Sequence, residues 1–214
     1  MIIVHHLNNS RSQRVLWVLE ELGIEYEVKF YERDAKTMLA PASLHQVHPL
    51  GKSPVIVDAD LTIAESGAII EYLVGRYDNG QLVPAIGTPE RLRYTYWLHY
   101  AEGSAMPPLL LRFIFDHFGI GDSDAVSAFI EPQIKLHFDY IEGELRKNTW
   151  FAGEEFTAAE IQMSFPLEMV AMLPEEVENR PKLKEFLDRI HARPAYKRAL
   201  ERGGKYENFF VSSR

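Results

Sequence analysis

The chain has no cysteine among its 214 residues. That absence excludes disulfide scaffolds, thiolate metal sites, cysteine nucleophiles and any redox role for the protein's own sulfur. Thiol chemistry, if it occurs here, must use a thiol carried by a ligand. Basic charge is also scarce. Lys and Arg number 23 against 31 Asp and Glu, a formal net charge of −8, which argues against a nucleic-acid partner. No apolar run approaches the roughly 18 residues of a membrane span, and the first residues lack the basic start and long apolar stretch of a secretory signal. The expectation is a cytoplasmic protein with neither a membrane nor a nucleic-acid partner. Walker loops, Gly-x-Gly-x-x-Gly and Gly-x-Ser-x-Gly are missing as well.

What is present is ordinary core-forming material, 46% hydrophobic, in two textures. Residues 2–7 form a β-branched apolar run that reads as a buried strand. Val15, Leu16, Val18, Leu19 and Leu22 carry helical spacing, closed by Gly23, and Tyr26, Val28 and Phe30 alternate with charged residues as a strand does. This βαβ unit is followed by a short irregular helix within 41–48, two strands at 54–58 and 61–63, and a helix over 66–77. From Asp78 to Pro89 periodicity gives way to Gly and Pro, the signature of a linker. Beyond it only helical spacing appears, over 90–118, 123–147, 157–172, 179–191 and 194–203, with Pro107-Pro108 expected to kink the first of these. The domain assignment is 1–78 for a βαβ-ββα domain, 79–88 for the linker and 89–214 for an all-helical domain. The basic excess near the end of the chain reads as a solvated helix face.

Four clusters could carry chemistry. Ser10 and Gln13 have the spacing of a capping box at the start of the first helix, which is also an anion site whose serine hydroxyl can donate to a thiolate. Gly51-Lys52-Ser53-Pro54-Val55 places a proline at the opening of a strand; a cis bond there would leave the Ser53 backbone free to pair with an extended ligand. Glu65-Ser66 opens a helix, with Ser66 as N-cap; the same pair suits the ammonium and carboxylate of a free amino-acid end group. Thr157 with Glu160 is a capping box, with Phe156 and Ile161 as its hydrophobic staple, and is structural. The eight histidines offer no metal set. His45 and His48 have helical spacing but no third ligand, and His5 and His6 point to opposite faces of a strand.

Ser10-Arg11-Ser12-x-Arg14, Gly51-Lys52-Ser53-Pro54-Val55 and Glu65-Ser66-x-Ala68-Ile69, in this order, resemble the cytosolic glutathione S-transferase family across essentially the whole chain. Thr157-x-Ala159-Glu160 is similar to the capping box of the family's helical domain, with Glu where Asp is commoner. The opening Asn8-Asn9-Ser10-Arg11-Ser12-Gln13-Arg14, followed by Trp17, is most similar to bacterial and fungal members with serine at the catalytic position. The resemblance implies a thioredoxin-like domain, a cis bond at Pro54, glutathione as co-substrate without a metal, and a homodimer serving detoxification. It implies that Ser10 donates to the glutathione sulfur, with Asn9 as the fallback donor. Ser53 would pair with the cysteinyl backbone, Glu65 and Ser66 would hold the γ-glutamyl end, and Lys52 would approach the glycine carboxylate. Tyr100, Met106 and Phe113 are chosen by helix position for a pocket that takes a small hydrophobic electrophile. Lack of a cysteine demotes dehydroascorbate reduction, and lack of Ser-Ser-Cys-Ser demotes maleylacetoacetate isomerisation. Conjugation, or peroxide reduction by bound glutathione, is left. The alternative is a non-catalytic relative, a dimeric binding or stress-response protein.

Overall fold

A computed structural model describes residues 1–34, 37–120 and 123–206. In chain order its elements are β1 (Ile2–Leu7), α1 (Ser12–Leu22), β2 (Tyr26–Tyr31), a 3-10 turn (Ala42–Gln46), β3 (Val55–Asp58), β4 (Leu61–Ala64) and α2 (Ser66–Tyr77). Then come α3 (Pro89–Tyr100), a π-turn (Ala101–Ala105), α4 (Met106–His117), α5 (Asp124–Leu145), α6 (Ala158–Val170), α7 (Pro174–Glu178), α8 (Pro181–Ala192) and α9 (Pro194–Gly203). The described residues divide into two compact units, one of Met1–Val83 with 191–206, the other of Pro84–Ile190.

The first unit is a four-stranded mixed sheet in the order β2-β1-β3-β4. β1 runs parallel to β2 and antiparallel to β3, and β3 pairs antiparallel with β4. Val4 and Ile56 from the strands, Val15, Leu16 and Leu19 from α1, and Ile69, Ile70 and Leu73 from α2 are fully buried, as their periodicity requires. The βαβ-ββα reading holds, and with it the thioredoxin-like arrangement. Gly23 closes α1 in the left-handed conformation, its N–H on the Leu19 carbonyl.

One helix was assigned to the wrong body by sequence. Residues 89–214 were expected to form a single helical domain, but α9 joins the first unit by packing on α1. Trp17 meets Tyr196 edge to face at 5.1 Å. Arg193 grips the Glu21 carboxylate at 2.6 and 2.9 Å, and Arg198 donates to Glu20 at 2.7 Å. The basic residues near the chain's end are therefore partly committed to acidic residues of α1, rather than forming only a solvated face. Residues 207–214, which the sequence assignment also included, lie outside the described residues.

The second unit has helices and no strand among its described residues. The helix expected over 90–118 is two helices joined by the π-turn. Neither Pro107 nor Pro108 has an N–H to donate, and both sit in the first turn of α4, where that donor is not needed. The turn ahead of them widens so that the Met106 N–H reaches the carbonyl of Ala101, five residues back. The capping box at α6 forms as read. Thr157 accepts from Ala159, while the buried Glu160 carboxylate accepts from the Thr157 N–H at 2.7 Å, its hydroxyl at 2.6 Å and the Phe151 N–H at 2.7 Å. Burial pushes the Glu160 carboxyl above its ordinary value, and these donors oppose the shift.

Candidate functional site

The register of the sheet gathers three of the sequence clusters at one edge of the first unit. His5 of β1 stands opposite Val55 of β3; extending that pairing brings Leu7 beside Ser53, and the Leu7 N–H donates to Ser53 Oγ at 3.2 Å. Val55 in turn stands opposite Ala64 of β4, so Ser53-Pro54 lies next to Glu65-Ser66. The end of β1, the start of β3 and the end of β4 thus share one rim, from which α1 and α2 both begin. Two helix N-termini aimed at one rim make an anion-attracting edge in a protein of net charge −8.

Each segment has a backbone peculiarity. The Ser53-Pro54 bond is cis, and Gly51 just before it has φ +57°, with His45 so close that an added Cβ would sit 2.5 Å from its ring. Ser53 Oγ donates to the His5 carbonyl at 2.8 Å, which fastens this turn to β1. Lys52 extends into solvent. Glu65, not Ser66, is the N-cap of α2, a correction to the sequence reading. Its φ of 71° is left-handed and strained for a residue with a side chain, at a cost of about 1–3 kcal/mol. Glu65 is exposed, while Ser66 is the buried first residue of the helix.

At α1 the expected capping box is also replaced. The helix starts at Ser12, with Arg11 as N-cap and no side-chain cap bond. Ser10 Oγ accepts from the Ser12 N–H at 3.2 Å rather than from Gln13, and lies 2.7 Å from Ser12 Oγ. Ser12 Oγ is in turn 2.8 Å from His6 Nδ1, and His6 Nε2 is 2.8 Å from the Gly203 carbonyl at the end of α9. A local box loses to this line of groups because Ser12 points back onto β1. Burial holds the His6 imidazole below its ordinary value, opposed by the Gly203 carbonyl. Asn9 has φ 49°, a conformation asparagine tolerates. Arg33 clamps this loop, donating to the carbonyls of Asn8, Asn9 and Met38 at 3.2, 3.1 and 2.9 Å. Sequence reasoning assigned no role to His6, Ser12 or Arg33. The period-2 pattern of β1 does place His6 on one face, but nothing in the sequence pairs it with Ser12.

In the helical unit, Tyr100 is buried and its hydroxyl lies 2.7 Å from His137 Nδ1; burial raises the phenol and lowers the imidazole. Met106 is buried, 2% exposed. Phe113 is half-buried. A cavity of about 270 Å³ runs between the π-turn with α4 and α5, lined by Gly103, Pro107, Leu111, Phe129, Gln133 and His137 among others. It contains none of the three residues chosen by helix position. His45 donates to the Pro49 carbonyl at 3.0 Å, and His48 Nδ1 accepts from Leu50, so the two do not converge as ligands. Among the described residues no cluster of three His, Asp or Glu could hold a metal, and no helix is long and apolar enough to cross a membrane.

Residues 1–75 match the family model "Glutathione S-transferase, N-terminal domain", and residues 109–194 match "Glutathione S-transferase, C-terminal domain". The chain is 36% identical to Glutathione S-transferase 3 of Schizosaccharomyces pombe, over 94% of this chain and 88% of that protein. It is 32% identical to Glutathione S-transferase 1 of Saccharomyces cerevisiae, over 94% and 95%. Among solved structures, a glutathione S-transferase from Actinobacillus pleuropneumoniae superposes with a TM-score of 0.88 at 35% identity, over 100% of this chain and 98% of that one.

Proposed function

The chain belongs to the glutathione S-transferase family, and from that premise we propose that it binds glutathione at the shared rim of its first unit and holds the thiol as a thiolate for attack on a small hydrophobic electrophile. The observation that carries this reading is the convergence of Ser10, the Ser53–cis-Pro54 turn and Glu65-Ser66 on one sheet edge, where two helices begin. Glutathione is an extended peptide with an amino-acid group at one end and a carboxylate at the other. The backbone at Ser53 and Pro54 supplies a strand-like partner for its cysteinyl residue. Glu65 meets the ammonium, Ser66 and the α2 N-terminus meet the adjoining carboxylate, and Lys52 attracts the glycine carboxylate.

Ser10 then faces the sulfur. A thiol with a pKa of roughly 8.5 is only a few per cent thiolate at pH 7, and the thiolate is the nucleophile. Lowering that value by about two units requires about 2.7 kcal/mol of preferential anion stabilisation. A charge-assisted bond from Ser10 contributes about 1.5–3 kcal/mol, and the α1 N-terminus roughly 0.3–1 kcal/mol. No strong base in contact with the sulfur is required. The same thiolate serves conjugation and peroxide reduction. Tyr100, Met106 and Phe113 are the proposed contacts of the electrophile, and the protein works in the cytoplasm as a homodimer. Support for the dimer comes from apolar side chains left in solvent by the helical unit: Leu92 and Tyr96 on α3, and Phe129, Leu136 and Tyr140 on α5.

Retention on immobilised glutathione together with turnover of chlorodinitrobenzene tests the reading. Ser10→Ala should raise the pKa of bound glutathione, read from ultraviolet thiolate absorbance, with little change in glutathione affinity. An unchanged titration rejects Ser10 as the sulfur's partner. Retention without turnover favours a binding protein instead.

A further inference from the structure

The ends of the line of groups behind Ser10 set its direction. Gly203 contributes a carbonyl, which only accepts, so His6 Nε2 carries a proton and donates to it at 2.8 Å. In neutral His6 the other nitrogen, Nδ1, is then an acceptor, and at 2.8 Å the Ser12 hydroxyl donates to it. That bond commits the Ser12 proton, so the 2.7 Å contact between the two serines is filled by the proton of Ser10. Among the described residues the other acceptor within reach of the Ser12 hydroxyl is the Leu7 carbonyl, at a longer 3.3 Å. With His6 neutral, Ser10 therefore donates inward and presents a lone pair outward. This arrangement receives a thiol S–H but cannot hold a thiolate. Donation to the anion turns the line outward, and the turned line leaves His6 Nδ1 without a donor unless that nitrogen itself takes a proton.

We propose that Ser10, Ser12 and His6 form a proton relay that carries the thiol proton of bound glutathione inward to His6 as the thiolate forms. The proposal rests on the reading of Ser10 as the hydroxyl that meets the sulfur. In the step, the S–H bond breaks with its electron pair left on sulfur, and that proton goes to Ser10 Oγ. The former Ser10 proton passes to Ser12 Oγ, and the former Ser12 proton passes to His6 Nδ1. Afterwards Ser10 donates to the thiolate, Ser12 to Ser10, and the imidazolium to both Ser12 and Gly203. His6 and Ser12 touch no substrate and are positioning residues. Around His6, β2 contributes the Phe30 ring at 5.5 Å, while Lys29 and Tyr31 lie on the opposite face with His5. From α1 the buried charge of the first turn is Arg14; from α9, Arg198 and Arg202 are engaged by Glu20 and Tyr26.

Nitrogen-15 magnetic resonance of the histidine rings tests the relay in the intact protein, with His6 assigned by the signal lost in His6→Gln. Free protein, and protein with S-methylglutathione, should show the neutral Nε2–H tautomer; protein with glutathione at neutral pH should show imidazolium at His6. Ser12→Ala should keep His6 neutral with glutathione and raise the bound thiol's pKa by about one unit, which cuts the thiolate fraction at pH 7 roughly threefold. Binding of S-methylglutathione confirms that the variant is folded. A wild-type complex in which the thiolate forms while His6 stays neutral overturns the relay. If Ser10→Ala still abolishes that thiolate, the Ser10 reading stands and only the relay fails; if Ser10→Ala leaves the titration unchanged, both fail.

Discussion

Gly203, the last residue of α9, lies so close to Gln13 of α1 that a Cβ added to the glycine would fall 2.2 Å from Gln13 Oε1 and 2.5 Å from Leu16 Cδ1. Gln13 and Leu16 are both buried, so neither side chain can easily move aside. A glycine-to-alanine change in a helix ordinarily gains roughly 0.5–1 kcal/mol. Here the sign reverses. Gly203→Ala should destabilise by about 1–3 kcal/mol through overpacking, read as a lower urea midpoint. The same substitution displaces the carbonyl that fixes the His6 tautomer.

Glu160 is a second point of structural sensitivity. Its carboxylate accepts from two buried backbone N–H groups, of Phe151 and Thr157. Glu160→Ala orphans both, at about 1–3 kcal/mol each, and should be among the most destabilising single changes in the helical unit. Thr157→Ala removes one side of the box and should cost only about 1 kcal/mol. A chemical-denaturation series on the two variants checks the ordering.

Acid stability should depend on Asp58. Hydrogen bonds from Tyr77 and Tyr72, with Arg76 nearby, hold its carboxyl below its ordinary value of 3.8 despite some desolvation. The folded chain therefore binds that proton more weakly than the unfolded chain. The contribution to stability is complete above the ordinary value and is lost as pH falls through the depressed one. Replacing both tyrosines by phenylalanine should lower stability at pH 6 and flatten its decline towards pH 2. A decline as steep as in the wild type counts against Asp58 as its source.

Dimerisation can be tested on α5. Phe129, Leu136 and Tyr140 are 65%, 62% and 40% exposed and recur at helical spacing on one face. Leu136→Asp should shift the protein from dimer to monomer in sedimentation at micromolar concentration without lowering its helix content. A monomeric wild type removes the proposal.

Strands and helices were legible because burial imposes a period on them: Val15, Leu16 and Leu19 are buried as their spacing requires, and Ile69, Ile70 and Leu73 repeat the pattern in α2. The capping box at Thr157 was legible for a related reason, since all its parts lie within four residues. What could not be read depends on partners distant in sequence. Ser10 and Gln13 have the right local spacing, yet His6 and Ser12 outcompete that box from behind. The amphipathic pattern of α9 marks a buried face but does not name α1 as the surface that covers it. Arg193 and Glu21 are 172 positions apart. The residues of the rim could be named from the resemblance; that they share one edge follows only from strand register.

The docking of α9 on α1 also bears on how the chain is made. The bond between His6 and Gly203 spans 197 positions. During synthesis the first 83 residues emerge with Trp17 lacking Tyr196, Glu21 lacking Arg193 and His6 lacking its carbonyl. Topologically the helical unit is an insertion within the first, and a ribosome must complete the insertion before the host can close. Translation and folding therefore run in different orders. The segment bearing Ser10 is among the first to be synthesised, and its unit is finished only when α9 arrives.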